Sequence, residues 1–301
     1  MIAILLMSMV LQTVPADDPI GDLLHADATL PAAVEPASRI ETADGVMAEV
    51  QCVGEYSQGG MIICRATPGT VLSLGDQGAT ADRDGWAVLG LNRDAGASVE
   101  FRAQFPNGTS FSETHEVTQR EYNIQRVDGV PPATVNPPAD AIPRIRAQSR
   151  QKAAAYTSRW EGNGFSGGFI EPADGVITGV YGSQRVYNGE PRRPHYGLDF
   201  ANETGTEVVA VADGIVTLAE ADMYYEGGLI FIDHGQGFTS AFLHLSEVDV
   251  VEGQIVSQGE RIGAIGSGGR STGPHVDWRI KWRNRYVDPA LVLQVDPSDL
   301  R

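Results

Sequence analysis

The stretch Pro274-His275-Val276-Asp277-Trp278-Arg279-Ile280-Lys281-Trp282 alternates polar and apolar residues without a break. A period of two marks a β-strand. His275 and Asp277 then project from one face, roughly 6.6–7 Å apart along the strand, a separation at which one side chain can hold a metal ion while the other holds its water. Arg279 and Lys281 share that face. A solvated edge strand with Asp277 paired to Arg279 is therefore the competing reading, and the other histidines have to decide.

Four of the six histidines, His195, His234, His244 and His275, lie in the last third of the chain or just before it. His195 sits in Pro194-His195-Tyr196-Gly197-Leu198-Asp199. A straight strand would hold His195 and Asp199 on one face but roughly 13 Å apart, too far to share an ion, so the chain must bend, and Gly197 tolerates the dihedrals required. His244 is flanked by apolar residues in Phe242-Leu243-His244-Leu245-Ser246 and alone reads as a satisfied, half-buried residue. His234, in Asp233-His234-Gly235-Gln236-Gly237, reads as a surface residue in a hairpin turn.

Around these motifs the chain is globular and rich in turns: 301 residues, 42% hydrophobic and 20% charged, with 35 glycines and 17 prolines. Short alternating apolar segments favour two all-β domains. A net charge of −17 argues against nucleic acid or an anionic membrane surface as a general partner, since phosphates would repel it. The apolar run Ile2–Leu11 is too short to span a bilayer. It reads as a signal peptide ending near Ala16, although no Lys or Arg precedes it, and predicts an exported, periplasmic or cell-envelope protein without stable membrane insertion after cleavage.

Residues 17–44, rich in Ala, Pro, Asp and Glu, read as a flexible N-terminus. Residues 45–118 read as a small immunoglobulin-like β-sandwich. The only cysteines, Cys52 and Cys64, stand equidistant from Gln58 in two strands joined by Ser57-Gln58-Gly59-Gly60. Hairpin pairing about Gln58 sets them opposite each other, a disulfide register that suits an oxidising compartment. His115 has no ligating companion nearby and reads as a strand-edge residue. Residues 119–164 read as a linker, first the prolines of Val130-Pro131-Pro132 and Asn136-Pro137-Pro138, then one helix through Ile145–Ala155. Its basic residues Arg144, Arg146, Arg150 and Lys152 read as a solvated face. Residues 165–296 form the second β domain.

Taken as an ordered set, His195-x-x-x-Asp199, then His244 in Phe-x-His-Leu-Ser, then Thr272-Gly273-Pro274-His275-x-Asp277 resembles the lysostaphin-type (LytM-domain) zinc metallopeptidases that cut peptides of bacterial cell-wall peptidoglycan. The run Arg120–Arg126 and the upstream sandwich are similar to exported members with an N-terminal immunoglobulin-like module. The resemblance implies a β-sheet domain with a groove, a Zn²⁺ ion held by His195, Asp199 and Asp277, and His244 and His275 flanking the metal's water. It implies peptidoglycan peptide stems as substrate. Three protein ligands would leave the fourth zinc position open and bring the pKa of bound water to about 7.

Two residues depart from the family pattern. The last motif usually ends in His where this chain has Asp277, and Phe242 stands where Tyr is common. Two carboxylates and one imidazole make a formally neutral site with Zn²⁺, hence a weaker Lewis acid. The alternative function is accordingly a catalytically silent LytM-type domain that binds cell wall or activates another hydrolase.

Overall fold

In this computed structural model residues 38–41, 47–128 and 136–300 are described; the signal-peptide expectation lies outside them. The first eight strands are β1 (Ser38–Glu41), β2 (Met47–Gly54), β3 (Met61–Ala66), β4 (Val71–Leu74), β5 (Gln77–Thr80), β6 (Trp86–Gly90), β7 (Ser98–Gln104) and β8 (Ser110–Glu116). They build two antiparallel four-stranded sheets, ordered β1-β2-β3-β6 and β5-β4-β7-β8. Inward residues such as Ile63, Leu72, Leu89 and Phe101 fill the space between, as alternation requires of a sandwich. Cys52 pairs directly with Cys64, and the two are disulfide-bonded, as the register about Gln58 predicts. β1 corrects the expectation of a wholly flexible segment 17–44, because its backbone pairs with β2 and needs no apolar period of its own to do so.

The remaining elements are β9 (Ile124–Val127), α1 (Ile142–Ala155), β10 (Val176–Gly179), β11 (Gln184–Tyr187), β12 (Glu190–Pro191), β13 (Gly197–Ala201), β14 (Glu207–Val209), β15 (Gly214–Met223), β16 (Gly227–Asp233), β17 (Phe238–Leu245), β18 (Glu247–Val248), β19 (Ile255–Val256), β20 (Arg261–Ala264), β21 (His275–Trp282), β22 (Arg285–Val287) and the short α2 (Pro289–Val292). The main sheet runs β10-β13-β21-β17-β16-β15-β19, with β22 also paired to β21, and a small sheet, β14-β20-β18, lies beside it in sequence. A third sheet, β12-β11-β9, carries the parallel pair β9–β11. Part of the expected linker is thus a strand of the C-terminal region.

The opening stretch is β21, and it is no solvated edge. It lies between β13 and β17, with its apolar face covered and its polar face partly so. On the apolar face Val276, Trp278, Ile280 and Trp282 are fully buried; truncating a Trp packed this way typically costs about 3–5 kcal/mol. On the polar face Asp277 is fully buried as well. Part of that cover is α1, whose Ala155 and the following Tyr156 pack on Leu218, Phe231 and Leu243. Lys152 pairs with Glu226, and Arg144 Nη2 lies 2.9 Å from Asp222 Oδ2. Lys152 and Arg144 thus tie the helix to the sheet, while Arg144, Arg146 and Arg150 remain exposed, as a solvated face requires.

One continuous hydrophobic cluster runs through the sandwich and the main sheet. Arg285 Nη1 donates to the carbonyls of Leu74 and Gly90 at 3.1 and 2.8 Å. The hairpin loop of the sandwich is held from the other side, since Arg120 reaches both the Gln58 carbonyl, at 3.1 Å, and the Asp288 carboxylate, at 2.7 Å. The sandwich therefore meets the main sheet by direct packing, beyond any tether.

Candidate metal centre

His195 ends a loop whose backbone is pinned by its N–H to the Ser183 carbonyl and by its own carbonyl accepting from Gly182 N–H, both 2.8 Å. The chain bends there before entering β13, and Nε2 of His195 comes within 3.0 Å of Asp199 Oδ1. Asp199 on β13 stands directly opposite Asp277 on β21, and Asp277 Oδ1 lies 3.3 Å from the same Nε2. Ligands of a tetrahedral ion at zinc's bond lengths stand roughly 3.3 Å apart, so the triad is spaced as such an ion requires. The three donor atoms lie within 4.8 Å of one another in a buried group. Nε2 of His195 and Oδ1 of Asp199 have no hydrogen-bond partner despite full burial. Nδ1 of His195 donates to the Val180 carbonyl at 3.2 Å, which leaves the Nε2 lone pair facing the two carboxylates, the tautomer a metal ligand needs.

Asp199 Oδ2 accepts from Arg185 Nη2 at 3.2 Å, and Arg279 donates three hydrogen bonds to Asp277, from Nε to each oxygen at 3.1 Å and from Nη2 to Oδ2 at 2.5 Å. The competing sequence reading was right about the Asp277–Arg279 pair and wrong about its surroundings, because Asp277 is buried in the middle of the sheet and Arg279 is only partly exposed. Burial by itself would raise both carboxyl pKa values; at Asp277 the charges of Arg279 and His195 outweigh it and hold the group well below the usual range, and at Asp199 His195 and Arg185 lower it. Burial likewise opposes protonation of His195, yet Asp199 and Asp277 outweigh it and raise its pKa.

Two glycines make room. A Cβ on Gly197 would fall 2.0 Å from Asp277 Oδ1, and one on Gly179 would fall 2.1 Å from Asp199 Oδ2. Gly197 has no positive φ, so its value lies in space, not in the backbone freedom that the bend suggested.

His244 breaks the alternation of its strand. Phe242, two residues earlier, pairs with Trp278 on the apolar face, and strict alternation would send His244 the same way. A bulge opposite Gly228–Ile230 and a φ of 68° at His244 redirect it, a left-handed conformation that non-glycine residues adopt at a cost and that clusters at functional sites. Its ring lies 4.8 Å from that of His275. Nδ1 of His244 donates to the Gly268 carbonyl at 2.8 Å and Nδ1 of His275 to the Gly273 carbonyl at 2.9 Å, so both Nε2 atoms keep their lone pairs. Burial pushes the His244 pKa down to about 4. A cavity of about 300 Å³ is bounded by Lys152, Tyr156, Glu226, Leu243 and Arg279, with α1 as one wall.

His234 is not a surface residue. It is fully buried on the apolar side, with Nδ1 2.8 Å from the Asp213 carbonyl and Nε2 2.8 Å from Ser240 Oγ, which also accepts from the Trp278 indole at 3.1 Å. The turn signal Gly235-Gln236-Gly237 was sound, but this turn is covered by residues 160–165, with Phe165 N–H on the His234 carbonyl. His115 stacks on Tyr56 with ring centres 3.8 Å apart, far from the triad in the fold. Sequence reading missed Arg185, for which no periodic signal existed.

A buried His–Asp–Asp group on a β-sheet, with two further histidines on neighbouring segments, is a candidate metal centre. Residues 193–289 match the model of peptidase family M23, and this part of the chain is an M23 (LytM-type) domain. It is 40% identical over 110 residues to the peptidoglycan DD-endopeptidase ShyA of Vibrio cholerae, covering 34% of this chain and 25% of that protein. It is 38% identical over 106 residues to the DD-carboxypeptidase/endopeptidase Mpg of Neisseria meningitidis, covering 35% and 24%. The chain thus matches about a quarter of the length of these curated relatives. Among solved structures, one assigned to peptidase M23 from Pseudomonas aeruginosa superposes with a TM-score of 0.63 at 28% identity, covering 79% of this chain and 95% of that one.

Proposed function

We propose that this protein is an exported zinc endopeptidase that hydrolyses peptide cross-links of peptidoglycan in the periplasm or cell envelope. The observation that carries the reading is the convergence of His195 Nε2 with one oxygen each of Asp199 and Asp277 at 3.0 and 3.3 Å. In this reading those three residues hold Zn²⁺, residues 165–296 are the peptidase domain, and residues 45–118 are an immunoglobulin-like module packed against it. The ion, when bound, supplies Lewis acidity toward the scissile carbonyl and lowers the pKa of a coordinated water.

The chain's own residues do the rest. His244 and His275, each with Nδ1–H fixed on a backbone carbonyl, direct Nε2 at the reacting atoms. One accepts the proton of the attacking water, and the other, once protonated, stabilises the developing oxyanion. The depressed pKa of His244 keeps it neutral, hence a proton acceptor, throughout the neutral range. Arg185 and Arg279 change the charge count. The triad with Zn²⁺ alone is formally neutral, but the two guanidiniums bring the cluster to about plus two, which weakens metal affinity and preserves electrophilicity.

The M23 relatives named as peptidoglycan endopeptidases support the substrate class. The pairing of buried Asp277 with Arg279 is the observation that favours the second reading, a silent cell-wall-binding or hydrolase-activating domain. Metal analysis of chelator-free protein, together with release of cross-link fragments from purified sacculi, decides between them. Stoichiometric zinc and fragment release are the expected results; absence of both abandons the enzyme.

A further inference from the structure

Two guanidiniums pair with the triad, and a third lies within electrostatic reach of them. Arg185 is committed to Asp199 and Arg279 to Asp277. The third, Arg270, makes no side-chain hydrogen bond or ion pair among the described residues. Its guanidinium carbon lies instead 5.3 Å from the ring centre of Tyr187 and 4.9 Å from that of Tyr225.

The two tyrosines belong to opposite sides of the site. Tyr187 ends β11 and takes a hydrogen bond at 2.8 Å from Arg185, the residue that holds Asp199. Tyr225 lies in the turn between β15 and β16, next to the Glu226 that Lys152 neutralises. Arg270 is fastened between them by its own backbone N–H, 2.8 Å from the Tyr225 carbonyl. The same loop supplies the Gly268 carbonyl that orients His244. Burial works against the charge of Arg270, and Arg279 and Arg185 add repulsion. A half-buried cation is therefore maintained within electrostatic reach of Arg185 and Arg279, the partners of the triad's carboxylates, in a chain of net charge −17, with aromatic faces but no acidic partner among the described residues. Aromatic faces hold a guanidinium in place while leaving its fork of donors available.

We propose that Arg270 recognises a carboxylate of the substrate peptide close to the cleaved bond, so that the site selects acidic cross-links over amidated ones. The inference rests on the peptidase reading for its substrate and adds the feature by which that substrate is chosen. A guanidinium offers a carboxylate two parallel N–H donors, the geometry in which charge-assisted hydrogen bonds are strongest.

The test uses the full chain loaded with zinc and short synthetic stem peptides in free-acid form and with single carboxylates amidated. Calorimetry reads binding and steady-state kinetics reads turnover, for the wild type, Arg270→Gln and Arg270→Lys. The wild type is expected to bind the acid about tenfold to a hundredfold more tightly than one of the amides. Arg270→Gln should abolish that preference through KM with bound zinc unchanged, and Arg270→Lys should restore part of it. Equal binding of acid and amides by the wild type overturns the proposal. So does an Arg270→Gln variant that weakens all the peptides alike, the behaviour of a residue that only clamps its loop. Preferential binding of the acid without hydrolysis would refute the peptidase reading and leave this one standing.

Discussion

The sandwich and the main sheet are built from the same kind of strand and differ in what they bury. Between β2 and β8 the fully covered polar residues are Ser57, Gln58 and Thr70, none of them ionisable. In the C-terminal region His195, Asp199, Asp233, His234, His244, Asp277 and Asp288 are covered as well. Burying an ionisable group without a partner is costly, and each of these has one: backbone donors for Asp233, Arg120 for Asp288, a Ser240–Asp213 relay for His234, and one another, with two arginines, at the triad. The described sandwich buries no ionisable side chain, whereas the C-terminal region buries seven His and Asp side chains, three of which gather at the triad.

Asp277→Ala attacks that contrast hardest. It should abolish stoichiometric zinc and lower sacculus hydrolysis at least about a thousandfold, while leaving Arg279 buried without a counter-charge and the metal-free protein about 3–5 kcal/mol less stable; metal analysis and urea unfolding read the two effects. Asp277→His sharpens it, since hydrolysis that persists would show that the position tolerates either ligand.

His244→Ala and His275→Ala should separate metal from chemistry. Zinc stays bound, and turnover falls about a hundredfold to ten-thousandfold. Loss of zinc in either variant would move that histidine into the ligand set.

On the sandwich side, replacing Cys52 and Cys64 together by Ala should cost about 2–4 kcal/mol in urea unfolding. Hydrolysis per folded molecule should stay unchanged, because the disulfide touches nothing at the triad.

The smallest expected effect is a slope. Burial lowers the His234 pKa from its ordinary value of about 6.5 to about 4, so the unfolded chain binds the extra proton first and stability is lost as pH falls through that window. This one residue should account for about 2 kcal/mol between pH 7 and pH 5. His234→Asn should therefore flatten the pH dependence of the urea midpoint by that amount, and an unchanged slope would place the acid sensitivity elsewhere. Metal loading should fall on acidification too, since the raised pKa of His195 sets a proton against the ion.

Much of this was legible in the chain itself, wherever a pattern is local. The alternation over His275–Trp282 specifies a strand, the equal spacing of Cys52 and Cys64 about Gln58 specifies a hairpin register, and the ordered His and Asp motifs single out the five residues of the proposed site. What remained belongs to pairing between distant segments. Asp199 faces Asp277 only because β13 lies beside β21, and His244 reaches the site only because a bulge overrides its parity. His234 is buried only because residues 160–165 cover its turn. A period of two says which residues share a face, but not which strand lies alongside or what closes over it; those depend on contacts between residues tens of positions apart, and only the tertiary structure decides them.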